Sequence, residues 1–371
     1  MNGAIELAAG YRKALNSLRG AAALYVVIYH LRYFSTFDWF TEFPVIRYGY
    51  LGVDFFFILS GSIISHVYLK QGVVGGKAFW FKFTWYRLAR LFPVHFLIMV
   101  LMLLAFLFMQ ELEAKEPWVS QSSALDWLTL TLMIRQWFMP DGYVWNTPAW
   151  SISAEFFAYV VIFPIVVRLA KSNITILLGV FLATVGGLML GYLYATFGTI
   201  NVVSSSGPLI RVAGGFLIGC GLYCIIDNLK VECNWDFLLI ISVAFTTTGL
   251  IFSPKLLNEG IKPDILLIIS FVVVILSAYK SVGPISKFMS LPILFWFGEI
   301  SFSLYLCHVP VMGLCRYIAE HLGIERGYFF GCCCVLLSIL SAHILYRLVE
   351  IPSRQKMRMI HKHLQTRTLP C

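Results

Sequence analysis

Arg19 and His30 stand eleven residues apart inside one apolar run, "LNSLRGAAALYVVIYHL", from Leu15 to Leu31. At about 100° per residue, eleven residues turn roughly 1100°, so on a helix the two side chains differ by only about 20° in azimuth. They lie about 16 Å apart along the axis, on one face. Between them that face carries Ala22, Ala23, Val26 and Val27, all small. A stripe of small residues bounded by a guanidinium and an imidazole reads as close helix contact or as the wall of a passage. A purely structural alternative has Arg19 reaching to lipid headgroups and His30 bonded to a neighbouring helix.

Four further stretches place polar groups inside apolar runs, where each ionisable residue costs at least about 2.5 kcal/mol at a helix centre. In "GYLGVDFFFILSG" an antiparallel helix pair brings Asp54 to a depth similar to that of His30. A carboxylate there would fix the imidazole tautomer and raise its basicity, as a general base requires. Equally, Asp54 suits the positive end of its own helix. In "WYRLARLFPVH", Arg87 and Arg90 share a face one turn apart, with Lys77 and Lys82 just before them. Two guanidinium forks and flexible ammoniums suit a polyanion such as a nucleotide phosphate, although the cytoplasmic bias of basic residues accounts for the same cluster. In "NTPAWSISAEFFAY", Ser151, Glu155 and Tyr159 line one face, and the carboxylate wants an arginine, another cation or a substrate hydroxyl. In "FGEISFSLYLCHVP", Ser301, Tyr305 and His308 form another stripe, suited to helix packing or to chemistry. His66, His95 and His343 are isolated and are read as structural.

The elements that must hold these groups are membrane helices. The 371-residue chain is 59% hydrophobic and 13% charged, against about 25% charged in soluble domains. It is therefore expected to be an all-α polytopic membrane protein with about ten transmembrane helices, beginning near Leu15, Tyr50, Leu88, Pro148, Thr175, Pro208, Phe237, Ile265, Leu291 and Tyr328. Basic residues gather at one side, at Arg12 to Arg19, Lys70 to Arg90, Arg168 and Lys171, Lys230, Lys280 to Lys287 and Arg347 to Arg367. This bias puts both termini in the cytoplasm. Residues 1–352 read as a single transmembrane domain and residues 353–371 as a basic cytoplasmic tail resting on anionic lipid. No cleavable secretory signal is expected. The net charge of +9 follows from the bias and gives no reason to invoke nucleic acid. The nine cysteines lie mostly in apolar segments, and "GCCCV" (Cys332 to Cys334) has no paired CxxC or nearby histidine cluster, so no metal site is expected. The longest polar interval, Glu111 to Thr147, contains "LDWLTLTLMIRQWFMP", a Trp-rich interfacial or re-entrant segment that could cover a site or bind a carbohydrate face.

Taken together these motifs resemble the acyltransferase-3 family of integral membrane acyltransferases. The pattern is an Arg-x10-His (Arg19, His30), "GVDFFFILSG", and an Arg-x-x-Arg before a proline (Arg87, Arg90, Pro93). "TPAWSISAEFFAY", "ISFSLYLCH" and "VEIPSR" (Glu350, Pro352) follow in order, so the pattern runs from Leu15 to Pro352. The resemblance is expected to be closest to stand-alone members, without an extracellular hydrolase-like domain after the last apolar run.

The resemblance implies an O-acetyltransferase of the cytoplasmic (inner) membrane. It would move an acetyl or similar acyl group from cytoplasmic acyl-coenzyme A, a co-substrate rather than a bound cofactor. The acceptor would be a hydroxyl of a surface polysaccharide or lipid-linked saccharide. Arg19, Arg87 and Arg90 would meet the donor phosphates, and the pantetheine arm would run along the small-residue stripe. His30 would take the acceptor proton with Asp54 or Glu155 assisting, while Glu155 alternatively holds the acceptor. Trp150, Ser151, Tyr159, Tyr305 and His308 would support the acceptor side. No Ser–His or Cys–His pair favours an acyl-enzyme. Two rival classes are a transporter or flippase of a lipid-linked saccharide, which accounts for intramembrane charge but not for arginines opposite a lone histidine, and a membrane scaffold, which predicts that His30 and Glu155 tolerate substitution.

Overall fold

The computed structural model describes residues 2–69, 76–111, 123–138, 145–170, 174–258 and 263–367. Lys70, Lys171, much of the polar interval before Thr147 (112–122 and 139–144) and the last residues of the tail, 368–371, lie outside them. Every regular element among the described residues is helical.

The expected apolar segments fold as α1 (Asn2–His30), α2 (Gly52–Tyr68), α3 (Lys77–Glu111), α4 (Ala149–Leu169) and α5 (Ile176–Phe197), then α6 (Gly207–Asn228), α7 (Trp235–Asn258), α8 (Asp264–Lys280), α9 (Pro292–Leu322) and α10 (Tyr328–Leu345). Among the described residues eight helices, all but α1 and α8, are long and apolar enough to cross a membrane. The expected count of about ten exceeds this for two physical reasons. Lys13, Asn16, Arg19 and His30 dilute the apolar run of α1. The 17 residues of α8 reach only about 25 Å, short of the ~30 Å hydrocarbon core, whereas α2, equally long by itself, is extended by the helical turns before it to Val45–Tyr68. The eight helices make this an integral membrane protein. Their outer faces carry large exposed apolar side chains, such as Leu104 and Phe108 on α3, Leu177 on α5 and Leu336 on α10, as hydrocarbon requires.

Inside the bundle, close approach replaces hydrophobic collapse as the means of association. Helices α2 and α6 touch backbone to backbone: a Cβ on Gly61 would fall on the Phe216 carbonyl, and one on Gly219 would fall on the Ile58 carbonyl. Gly219→Ala is therefore expected to cost about 1–3 kcal/mol through overpacking, because backbone cannot give way as a side chain can. A lowered midpoint in heat-treated detergent extracts, read by size-exclusion chromatography, checks this; an unchanged midpoint contradicts it. Helices α1 and α9 cross in the same way, with a Cβ on Gly20 lying 2.6 Å from the Gly298 nitrogen.

Among the described residues two π turns interrupt the helices. One, Ala158–Ile162, lies inside α4, and the other, Tyr346–Glu350, joins α10 to α11 (Ile351–Arg367). Such insertions re-aim side chains and are frequent at functional sites. The basic helix α11 lies against the start of α3, where Trp85 Nε1 donates to the Met357 carbonyl at 2.7 Å.

Candidate active site

The glycine crossing of α1 and α9 brings Arg19 onto its partners. Its Nε donates to Ser301 Oγ at 2.9 Å and its Nη2 to the Gly298 carbonyl at 2.6 Å. Arg87 and Arg90 of α3 face the same place, so the three arginines expected to act together line one narrow cleft of about 70 Å³ with Ser60, Glu155 and Tyr305. Arg87 Nε is buried without a hydrogen-bond partner. Among the described residues neither Arg87 nor Arg90 forms an ion pair, which leaves both charges available to an anion. Glu155 is held by hydroxyls and not by an arginine: Ser60 Oγ donates to Oε1 at 2.9 Å and Tyr159 donates to the same oxygen. The π turn that begins three residues after Glu155 carries Tyr159.

His30 ends α1. Its Nδ1 lies 2.8 Å from the Val26 carbonyl and 3.3 Å from His308 Nε2. His308 Nδ1 in turn lies 2.8 Å from the Tyr305 carbonyl and 3.2 Å from that of Leu304. Carbonyls only accept, so His308 carries its proton on Nδ1 and its Nε2 is an acceptor. His30 then donates from Nδ1 to both Val26 and His308, which leaves its Nε2 with a free lone pair. That is the arrangement of an oriented general base, with the second imidazole in the orienting position.

The expected contact between His30 and Asp54 is not made. Asp54 is fully buried and bonded to Arg211 of α6, with Nη2 2.6 Å from Oδ2 and Nε 2.8 Å from Oδ1. A carboxylate without water needs a countercharge, and a guanidinium fork satisfies it better than a neutral imidazole. Arg211 went unread in the sequence although "GPLIRVAGG" shows a lone arginine in an apolar run. Asp264 was missed likewise: it accepts from Tyr50 at 2.7 Å and from Thr199 at 2.6 Å, holding Tyr50 and the turn before α6.

His30, Trp150, Tyr305 and Arg211 line a second cavity of about 780 Å³. The cleft and the cavity share two wall residues, Val53 and Tyr305. The Tyr305 hydroxyl lies 2.7 Å from Ser151 Oγ and donates to the Pro148 carbonyl at 3.1 Å. The stripe between Arg19 and His30 is closely packed, and its Val26 also lines the larger cavity. Ala22, Ala23, Val26 and Val27 are buried, with Gly52 seated on Ala22 and Val26, so the stripe serves helix contact.

The Trp-rich segment forms two short helices, Ala124–Thr131 and Arg135–Phe138, docked on α4 through the bond from the Gln136 amide to Ser153 Oγ at 3.1 Å. It contributes Leu130, Arg135 and Gln136 to the cavity wall. His66, His95 and His343 have structural partners, Tyr279, the Leu130 carbonyl and Trp296 respectively.

Residues 12–347 match the acyltransferase-3 family, described as an acyltransferase domain. Over 374 aligned positions, 93% of the chain, it is 28% identical to the O-acetyltransferase OatA of Staphylococcus aureus strains COL and N315. The chain spans 58% of the length of those relatives. No solved structure matches it. The family match covers both cavities and the arginines and histidines that line them, and the chain belongs to the acyltransferase-3 family of membrane acyltransferases.

Proposed function

We propose that the protein transfers an acetyl or similar short acyl group from acyl-coenzyme A to a saccharide hydroxyl. The donor phosphates meet Arg19, Arg87 and Arg90, and the acceptor occupies the cavity beside His30. The observation that carries this reading is that an arginine-lined cleft and a histidine-lined cavity lie against each other and share the wall residues Val53 and Tyr305. An orientation with the Lys- and Arg-rich ends in the cytoplasm gives the cleft its donor from that side. The name of the OatA relatives supports an acetyl group and an oxygen acceptor.

In the reaction His30 Nε2 takes the hydroxyl proton as the oxygen attacks the thioester carbonyl. The C–S bond breaks, the thiolate leaves, and the imidazolium returns the proton to give free thiol and ester. His308 Nε2, accepting from His30 Nδ1–H, stabilises the imidazolium between these steps. Asp54 holds the fold through Arg211 and takes no part in proton transfer. At about 70 Å³ the cleft has room for only a few waters, so donor entry requires side chains such as Phe56 and Phe57 to move.

Release of thiol from acetyl-coenzyme A by the purified protein tests the enzyme reading against a transporter or scaffold, neither of which releases any. Arg87→Ala is expected to raise the KM for the donor by about 10- to 100-fold, the worth of a lost charge-assisted hydrogen bond, with a smaller change in kcat. Arg87→Lys recovers part of it. An unchanged donor KM in Arg87→Ala removes the phosphate role.

A further inference from the structure

The histidine cavity is charged as well as polar. Among the described residues three guanidiniums line it, and no Asp or Glu does. Two of the three are neutralised from behind, Arg211 by Asp54 at 2.6 Å and Arg135 by Asp126 at 2.9 Å. The third is Arg32, two residues beyond His30 in the turn Leu31–Tyr33. Its Nη2 donates to the hydroxyls of Tyr29, at 2.7 Å, and Tyr33. Its guanidinium carbon sits 4.4 Å and 4.3 Å from the centres of those two rings. Aromatic faces and hydroxyls fix the plane of the fork but leave its charge in place. Nε has no partner, and among the described residues Arg32 bonds to no carboxylate. Two more groups of the wall are unsatisfied: the amide oxygens of Gln136 and Asn146, in side chains that are themselves buried. Asn146 Nδ2 donates to the Leu306 carbonyl at 2.9 Å, so its oxygen is identified by that bond.

A neutral ligand would leave the Arg32 charge uncompensated in a partly desolvated wall, at a cost an anionic ligand removes. We propose that the acceptor is an acidic saccharide, one bearing a carboxylate or phosphate that Arg32 holds within reach of His30, with Gln136 and Asn146 accepting from its hydroxyls. This rests on the acyl-transfer reading above and narrows its acceptor. The volume of about 780 Å³ suits a ligand of one or two sugar rings.

The test uses the purified full chain in detergent and three probes: a glucuronate-terminated disaccharide, its carboxyl-reduced neutral counterpart and a sugar 1-phosphate. Binding is followed by saturation-transfer difference NMR. At least one acidic probe is expected to bind about tenfold or more tightly than the neutral one. Which of the two does so tells carboxylate from phosphate. In Arg32→Gln the acidic probes fall to the level of the neutral one, and in Arg32→Lys, which keeps the charge but not the fork, they fall part of the way. The proposal is overturned if acidic and neutral probes bind wild type alike, if no acidic probe binds, or if the preference survives in Arg32→Gln. Should Arg32→Gln not fold, an Arg32→Lys protein with undiminished preference overturns it equally. Thiol release by wild type decides the enzyme reading separately.

Discussion

His30→Ala is expected to lower acyl transfer by about two to four orders of magnitude, the usual contribution of a positioned general base. The expectation follows from proton accounting. His308 has its Nδ1 proton committed to the carbonyls of Tyr305 and Leu304, so the proton between the two rings belongs to His30 Nδ1 and the free lone pair to His30 Nε2. His308→Ala should cost less, roughly tenfold to a hundredfold, since the Val26 carbonyl still orients His30. His308→Gln should do better than His308→Ala, because an amide oxygen can accept the same bond. Thiol release and ester formation at equal membrane abundance measure all three. A fully active His30→Ala protein would show that the imidazole only packs.

Arg211→Leu is expected to produce the largest loss of stability, about 3–5 kcal/mol, because it strands a fully buried carboxylate. Removing both partners, Asp54→Leu with Arg211→Leu, should recover much of that loss. Recovery is incomplete, since Arg211 also donates to Asn201 Oδ1 at 2.9 Å and to the Tyr50 carbonyl at 3.1 Å. The fraction of protein surviving graded heating, read by fluorescence-detected size exclusion, gives both values. The same pair decides the part played by Asp54. If Asp54→Asn keeps the melting midpoint and loses kcat, Asp54 acts in catalysis and its assignment to the fold is wrong.

Spacing along single helices was legible in the sequence, and the choice of partner between helices was not. The eleven-residue interval put Arg19 and His30 on one face, and the structure gives Arg19 to the cleft and His30 to the cavity. The stripe Ser301, Tyr305 and His308 likewise meets the site, through Arg19, the shared wall and His30. Depth alone suggested Asp54 for His30, but a helix period says nothing about which neighbour occupies the facing azimuth. There α6 presents Arg211 to Asp54, and α9 presents His308 to His30. The small-residue stripe was ambiguous for the same reason, because small side chains suit a passage and a tight crossing equally. Glu155 was read on its face without the π turn after it, since no residue pattern announces an extra residue per turn. Arg211 could have been found from its charge in an apolar run; Asp264, just before such a run, and Arg32, in the turn after α1, carry no such signal.

In the proposed mechanism labour is divided, with the donor held at the arginine cleft and the proton moved at His30. One set of steady-state measurements tests it: donor KM and kcat for wild type, Arg87→Ala and His30→Ala, with the dissociation constant of acetyl-coenzyme A for each. Arg87→Ala is expected to bind donor more weakly with modestly changed kcat, and His30→Ala to bind donor unchanged with kcat reduced about a hundredfold or more. Donor affinity lost in His30→Ala, or kcat lost in Arg87→Ala with donor affinity intact, would contradict it.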